Sequence, residues 1–202
     1  MTRDKNVYQF KITLEESEPK IWRRIQVPEN YSFWDLHVAI QDAMGWLDYH
    51  LHEFIIIDPK YGEESYIGIP DEEEGSYLTH NTDAGWKKFI RHYFFLKNFS
   101  KCQYTYDFGD DWVHKIKLEK ILLTVFGYKY PICLDGERAC PPEDCGGIGG
   151  YENFLEIIKD PRHEEHESML TWAGGKFDPE KFNPQGIYFA DPKERWKIAF
   201  EF

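Results

Sequence analysis

Alternating apolar and polar residues at the start of this chain predict two strands. In "VYQFKITL" (residues 7–14) a large apolar side chain occupies every second position, and "IWRRIQVP" (residues 21–28) repeats the pattern with Ile21, Ile25 and Val27 on one side. A period of two is that of a strand with one buried face. The Glu- and Pro-containing segment between them predicts a turn.

Helical periods follow in three places. Ser32 can cap a helix that has Asp35 in its first turn and an apolar stripe reaching Leu47. The spacing of apolar residues from Trp86 to Phe94 predicts a second amphipathic helix. A third, from Tyr151 to Ile158, ends at an Asp-Pro pair, and shorter helical patterns and an aromatic tail packed into the core complete the chain.

Further strands separate these helices. "YHLHEFIII" (residues 49–57) is rich in aromatic and β-branched residues, "SYIGIP" (residues 65–70) can pair with it, and the acidic run 71–74 is typical of a solvated turn. "CQYTYDFGDDWVHKIKLE" (residues 102–119) predicts a hairpin whose turn is Gly-Asp-Asp. The pattern as a whole predicts an α+β fold, with a mostly antiparallel sheet and several helices packed on it.

Composition sets the size of the fold and the class of partner. The 202 residues are 42% hydrophobic and 17% aromatic, enough to bury the core of one domain spanning residues 1–202. The net charge of −12 disfavours nucleic acid as a partner, because phosphates are bound by clustered Lys and Arg. No apolar run is long enough for a membrane span and no signal peptide opens the chain, so we expect a cytoplasmic protein with reduced thiols.

The stretch "CLDGERACPPEDCGGIGGYENF" (residues 133–154) is the first candidate site. Cys133, Cys140 and Cys145 could bind a divalent metal such as zinc, with a fourth ligand from Cys102, His50 or His114, although the spacing lacks the usual zinc knuckle. The alternative is a stiff loop with buried thiols. The glycines lack a phosphate-binding pattern, and backbone packing is the favoured role for them.

The remaining candidates are histidines and the carboxylates of two acidic segments, the hairpin turn (residues 107–111) and the pair 143–144. Carboxylates beside imidazoles can bind a divalent cation or transfer protons, and His50 and His52, two apart on a strand, can project from one face. His114 has a core position as its alternative, because Trp112 and Ile116 flank it. The predicted pocket residues are His50, His52, Asp107, Asp110, Asp111, His114, Glu143 and Asp144.

Five segments carry a family resemblance: "PKIWRRIQVPENYSFWDLHVAIQDAMGW", "HLHEF", "YTYDFGDDWVHKIKLE", "CLDGERACPPEDCGGIGGY" and "GGKFDPEKF". In this order they resemble the root-inducing-plasmid open-reading-frame-three-like family, whose members often carry a transposon resolvase (TnpR-type) label. The resemblance implies an α+β domain without an assigned reaction. The recombinase label has no support in the residues, because the early serines lie in a turn and at a helix cap and no histidine has an arginine three residues later.

Three functional hypotheses remain open from the sequence. The first is a noncatalytic binding or adaptor domain for a protein or small molecule, associated with plasmids or mobile elements, in which "HLHEF", the Asp-rich hairpin and the cysteine-rich stretch converge. The second is a metal-dependent hydrolase or nuclease that uses His50, Asp107, Asp110, Asp111 and His114. The third is a transposition-associated DNA-binding protein.

Overall fold

The alternating segments form the centre of one mixed sheet. The computed structural model describes residues 5–58, 60–70, 80–96 and 101–201, so the acidic run 71–74 lies outside the described residues. The strands are β1 (Asn6–Leu14), β2 (Trp22–Pro28), β3 (His52–Ile57), β4 (Glu64–Gly68), β5 (Asp83–Ala84), β6 (Lys101–Tyr106), β7 (Trp112–Leu123) and β8 (Ile132–Glu137). Their order in the sheet is β5-β4-β3-β6-β7-β1-β2-β8.

The pairing of these strands explains the face that each buries. All neighbours in this order are antiparallel except β4 and β5. Along β1 the apolar residues Phe10, Ile12 and Leu14 are fully buried, as the period of two predicts. Opposite them on β7 lie Leu118, Ile116 and His114, so one continuous apolar face crosses the middle of the sheet.

Four helices accompany the sheet in the described ranges: α1 (Phe33–Met44), α2 (Gly147–Lys159), α3 (His166–Trp172) and α4 (Pro192–Phe200). The predicted cap starts α1, since Ser32 Oγ accepts from the N–H of Asp35 and the Ser32 N–H donates to the Asp35 carboxylate. Gly45, in the left-handed conformation, closes it. The result is the predicted α+β domain.

The helix predicted between Trp86 and Phe94 is wrong. The structure has two 3₁₀ turns there, Gly85–Lys87 and Ile90–His92. The Phe33 N–H donates to Lys88 O (3.0 Å) and the Ile90 N–H donates to Tyr31 O (2.9 Å), so bonds to the start of α1 and to the chain before it interrupt a continuous helix. Ile90 and Phe94 are nonetheless buried, which is why their spacing resembled a helix.

The tail packs on α1 through α4. The indole N–H of Trp34 donates to Pro192 O (3.0 Å), and the Arg195 guanidinium pairs with Asp42 (3.0 Å). Trp196 packs edge-on against Trp34 with ring centroids 5.4 Å apart. None of the helices in the described ranges has both the length and the apolar composition that crossing a membrane requires.

Candidate functional site

Three segments that are distant in sequence meet at one edge of the fold. His50 lies just before β3, Asp107 begins the turn between β6 and β7, and Asp144 lies in the loop between β8 and α2, residues 138–146, here called the cysteine loop. His50 Nε2 is 2.9 Å from Asp144 Oδ1 and 3.6 Å from Asp107 Oδ2. Within the described ranges, these three residues are the group whose ligand atoms all lie within 4.8 Å of one another, and we call them the His–Asp cluster.

The hairpin turn fixes the orientation of Asp107. Its backbone is in the left-handed region (φ 57°), and its N–H donates to Leu51 O (2.9 Å). Oδ1 accepts from the Gly109 N–H (2.9 Å), which leaves Oδ2 as the oxygen nearer His50. Because Asp107 is buried and Asp144 is exposed, the cluster is open to solvent on one side only.

Glu143 fastens the cysteine loop to the rest of the protein. One carboxylate oxygen accepts from the Leu47 N–H (2.8 Å) and the other from the Tyr106 hydroxyl. Burial, and then the neighbouring Glu143, raises the pKa of Tyr106 above its ordinary value, so this hydroxyl stays protonated and donates. The indole N–H of Trp46 adds a bond to Pro141 O (3.1 Å). Glu143 therefore positions Asp144 and is not free to bind a ligand.

Asp110 has a comparable positioning role. Its Oδ2 accepts from the Gly146 N–H (3.0 Å), and a Cβ on Gly147 would lie 2.5 Å from its carbonyl oxygen. The hairpin tip thus rests directly on the backbone of the glycines, which serve close packing. Asp111 is exposed beside this contact.

The structure buries His52 and His114 in the core, which for His114 is the alternative that the sequence left open. The His52 ring is 2% exposed and stacks on His37 at 3.4 Å, and burial, followed by His37, lowers its pKa well below the usual value. His114 is fully buried, and burial lowers its pKa to about 4. Both rings are therefore neutral at pH 7. His50 and His52 do not share one strand face, because β3 begins only at His52 and His50 lies in the chain before it.

Within the described ranges, the cysteines predicted as zinc ligands do not belong to the group of converging ligand atoms. All four cysteines are free, and Cys133, Cys140 and Cys145 are absent from the group of converging ligand atoms in the described ranges. The Cys133 thiol faces Asp135 O (3.6 Å) and the Cys145 thiol faces Gly147 O (4.0 Å), so each turns to its own local backbone. Burial raises the pKa of Cys145 to about 12 and raises that of Cys140 as well, which keeps both as thiols.

Sequence analysis missed a buried cation behind this site. Arg23 is 1% exposed, and its guanidinium donates to Ala43 O, Trp22 O and Glu137 O, each at 2.9 Å. These bonds tie the end of α1 to β2 and to β8. Its position between Ile21 and Ile25, on the apolar side of the strand, was the available signal.

Comparison with known proteins places this architecture in a family. The chain is 38% identical to "Uncharacterized protein y4hQ" of Sinorhizobium fredii (strain NBRC 101917 / NGR234), over 84% of this chain and 81% of that protein. It is 47% identical to the crystal structure of the "Protein of Unknown Function MM3350 from Methanosarcina mazei Go1", with a TM-score of 0.84, covering 93% of this chain and 100% of that one. Residues 6–186 match the family described as "Plasmid pRiA4b ORF-3-like protein". The chain therefore belongs to the plasmid pRiA4b ORF-3-like protein family.

Proposed function

We propose that this protein is a binding domain of the adaptor type, whose His–Asp cluster takes a divalent cation such as zinc. One observation carries the proposal: an imidazole nitrogen and two carboxylate oxygens lie within 4.8 Å of one another where three distant segments meet. Structural and catalytic zinc ions are bound by this type of ligand atom. The imidazole favours zinc over magnesium, which prefers oxygen ligands and keeps its water.

The surroundings of the cluster support a preformed site. Hydrogen bonds from Gly109 to Asp107 and from Leu47 to Glu143 hold the two carboxylate-bearing segments before any cation arrives. A bound cation would replace the contact between His50 Nε2 and Asp144 Oδ1, now 2.9 Å apart. A ligand set of one imidazole and two carboxylates would offset the charge of a divalent cation.

A metal-dependent hydrolase or nuclease is the second candidate, and the number of ligands favours it. Three protein ligands leave a coordination position free, which is the arrangement that lets zinc activate a water molecule. Of the residues first considered for catalysis, His50 and Asp107 belong to the cluster, whereas Asp110 bonds to Gly146 and His114 is in the core. Hydrolysis of bis(p-nitrophenyl) phosphate by zinc- or manganese-loaded protein, abolished in Asp107→Asn, would establish this candidate.

The DNA-binding alternative has the least support. The net charge of −12 opposes binding to phosphates, and the names of the matched family and relatives reported above do not mention a resolvase. Binding to duplex DNA at low salt that weakens steeply as salt is added would restore this alternative.

We also propose a cytoplasmic location, which the four free thiols support.

A cation titration tests the main proposal. Untagged, metal-free protein is titrated with zinc by calorimetry, and the bound metal is counted by elemental analysis. We expect one equivalent per chain, and an affinity about 100-fold lower in Asp107→Asn and in Asp144→Asn, because each variant loses a charged ligand. Glu164→Gln removes an exposed carboxylate in the turn after α2, outside the His–Asp cluster, and is the matched control.

Two results would contradict the proposal. One is no zinc bound at micromolar protein with the wild type folded. The other is an affinity that neither aspartate variant changes, which would place any bound zinc elsewhere.

A further inference from the structure

A groove between α2 and α3 opens beside the His–Asp cluster. Its volume is about 240 Å³, and its walls include Asp144, Cys145, Asn153, Phe154, Met169 and Trp172. Its size is below that of pockets for drug-sized ligands, which begin near roughly 300 Å³. The groove therefore suits a small ligand.

Asp144 belongs to both features. Its carboxylate is a member of the His–Asp cluster, and the same residue lines the groove. A molecule lying in the groove would thus have one end beside the cation position. The features form one composite site.

The far side of the groove is apolar and aromatic. Trp172 is 48% exposed, and its ring packs edge-on against Phe154 with centroids 5.9 Å apart. Met169 lies on the same helix as Trp172 and adds a flexible apolar side chain. Contact between this surface and a hydrocarbon or aromatic tail is favourable, because it removes apolar area from water.

Resting on the proposed function, we infer that the composite site binds a small carboxylic acid with an aromatic or short aliphatic tail. The carboxylate coordinates the cation at its free position while the tail covers Trp172 and Met169. Asn153, at the groove wall, supplies an amide that can donate to the second carboxylate oxygen.

The binding of a carboxylic acid in this groove depends on the bound cation, because of the charge of the site. Without a cation, the carboxylates of Asp107 and Asp144 repel an anion and attract an amine instead. With a divalent cation bound, these carboxylates are neutralised and the open coordination position accepts an oxygen ligand. The same groove therefore distinguishes an acid from an amine by its metal content.

The experiment titrates phenylacetate into zinc-loaded and zinc-free full-length protein, followed by calorimetry and by the fluorescence of tryptophan. We expect binding to be at least about 10-fold tighter with zinc, and about 10-fold weaker in zinc-loaded Trp172→Ala than in the wild type. Zinc affinity measured without phenylacetate should be the same in Trp172→Ala and the wild type. Tyr188→Ala, which removes an exposed ring outside the groove lining, is the control.

Three outcomes would overturn the inference. These are equal phenylacetate binding with and without zinc, full affinity in Trp172→Ala, or a preference of the zinc-loaded protein for phenethylamine. Zinc binding without phenylacetate binding would refute this inference alone, whereas failure of the wild type to bind zinc would refute the proposed function as well.

Discussion

The backbone N–H of Gly146 donates a hydrogen bond of 3.0 Å to Oδ2 of Asp110, a residue 36 positions earlier in the chain. The next residue, Gly147, lies so close to the same aspartate that an added Cβ would be 2.5 Å from its carbonyl oxygen. The hairpin tip and the cysteine loop are therefore joined through backbone contact, which requires glycine at this position.

Replacing Gly147 by alanine tests that contact. The Cβ would meet the Asp110 carbonyl, and the backbone of Gly147 is in the left-handed region (φ 68°), so we expect Gly147→Ala to lower the free energy of unfolding by about 2–4 kcal/mol. Gly149→Ala is the matched control, because no atom lies within 4 Å of its added Cβ. In that helical position alanine should be neutral or stabilising by up to about 1 kcal/mol. Urea denaturation of both variants gives the comparison, and equal stabilities would contradict the contact.

The Tyr106 hydroxyl connects the hairpin to the cysteine loop a second time. It donates to Glu143 and accepts from the Tyr49 N–H (3.0 Å), so Tyr106→Phe leaves both partners unsatisfied. We expect a loss of about 1–3 kcal/mol in stability and a several-fold loss of zinc affinity, since Asp144 adjoins Glu143. Tyr128→Phe, at an exposed position, is the control. Zinc affinity unchanged in a destabilised Tyr106→Phe would show that Glu143 does not position the site.

The buried His114 predicts loss of stability in acid. Its pKa is about 4 in the folded protein, where burial disfavours the charge, and near 6.5 when unfolded. The unfolded chain therefore binds more protons between these values, and stability is lost as the pH falls from about 6.5 toward 4, by up to about 3 kcal/mol. In His114→Leu the dependence of the unfolding free energy on pH should be shallower over this range. Urea denaturation at pH 7, 6, 5 and 4.5 measures it, and parallel curves for the two proteins would contradict the assignment.

Arg23 should not be replaceable by lysine. Its guanidinium donates to three backbone carbonyls from buried surroundings, and the Phe182 ring covers it at 3.8 Å. An ammonium group cannot reach all three, so we expect Arg23→Lys to cost about 3 kcal/mol or more. Arg162→Lys, whose side chain is 91% exposed, should change stability by less than about 0.5 kcal/mol. A thermal melt of each variant decides, and similar melting temperatures would show that the three bonds contribute little.

Local periodicity predicted the strands better than the site. The alternation in β1, β2 and the β6–β7 hairpin is a direct consequence of one buried face, and the Ser32 cap acts within four residues, so both are visible in sequence. The segment 86–94 could not be assigned locally, because backbone bonds to Tyr31 and Phe33 limit its own bonding to short turns. Strand β8 was not predicted from the cysteine-rich stretch, because it is recognised as a strand by its pairing with β2 and not by a local pattern.

The site was recoverable in outline and not in detail. The residue types in "HLHEF", the hairpin and the cysteine-rich stretch singled out three segments that do converge in space. Which histidine faces solvent depended on where β3 begins, and the spacing of His50 and His52 does not contain that information. The contact of Asp144 with His50 joins residues that are 94 positions apart, so only the folded chain shows it. The same holds for the anchoring of Glu143 to the Leu47 N–H.

The strand order has a consequence for how the chain folds during synthesis. Strand β1 pairs with β7, which lies about 100 residues further along the chain, so during synthesis the edge of β1 that faces β7 stays uncovered until β7 has been made. Contacts of such long sequence separation slow folding, and an uncovered apolar strand can pair with other chains in the meantime. A nascent chain that stalls before Trp112 would thus expose the edges of β1 and β6 together, and it should be a target for chaperones that bind apolar strands.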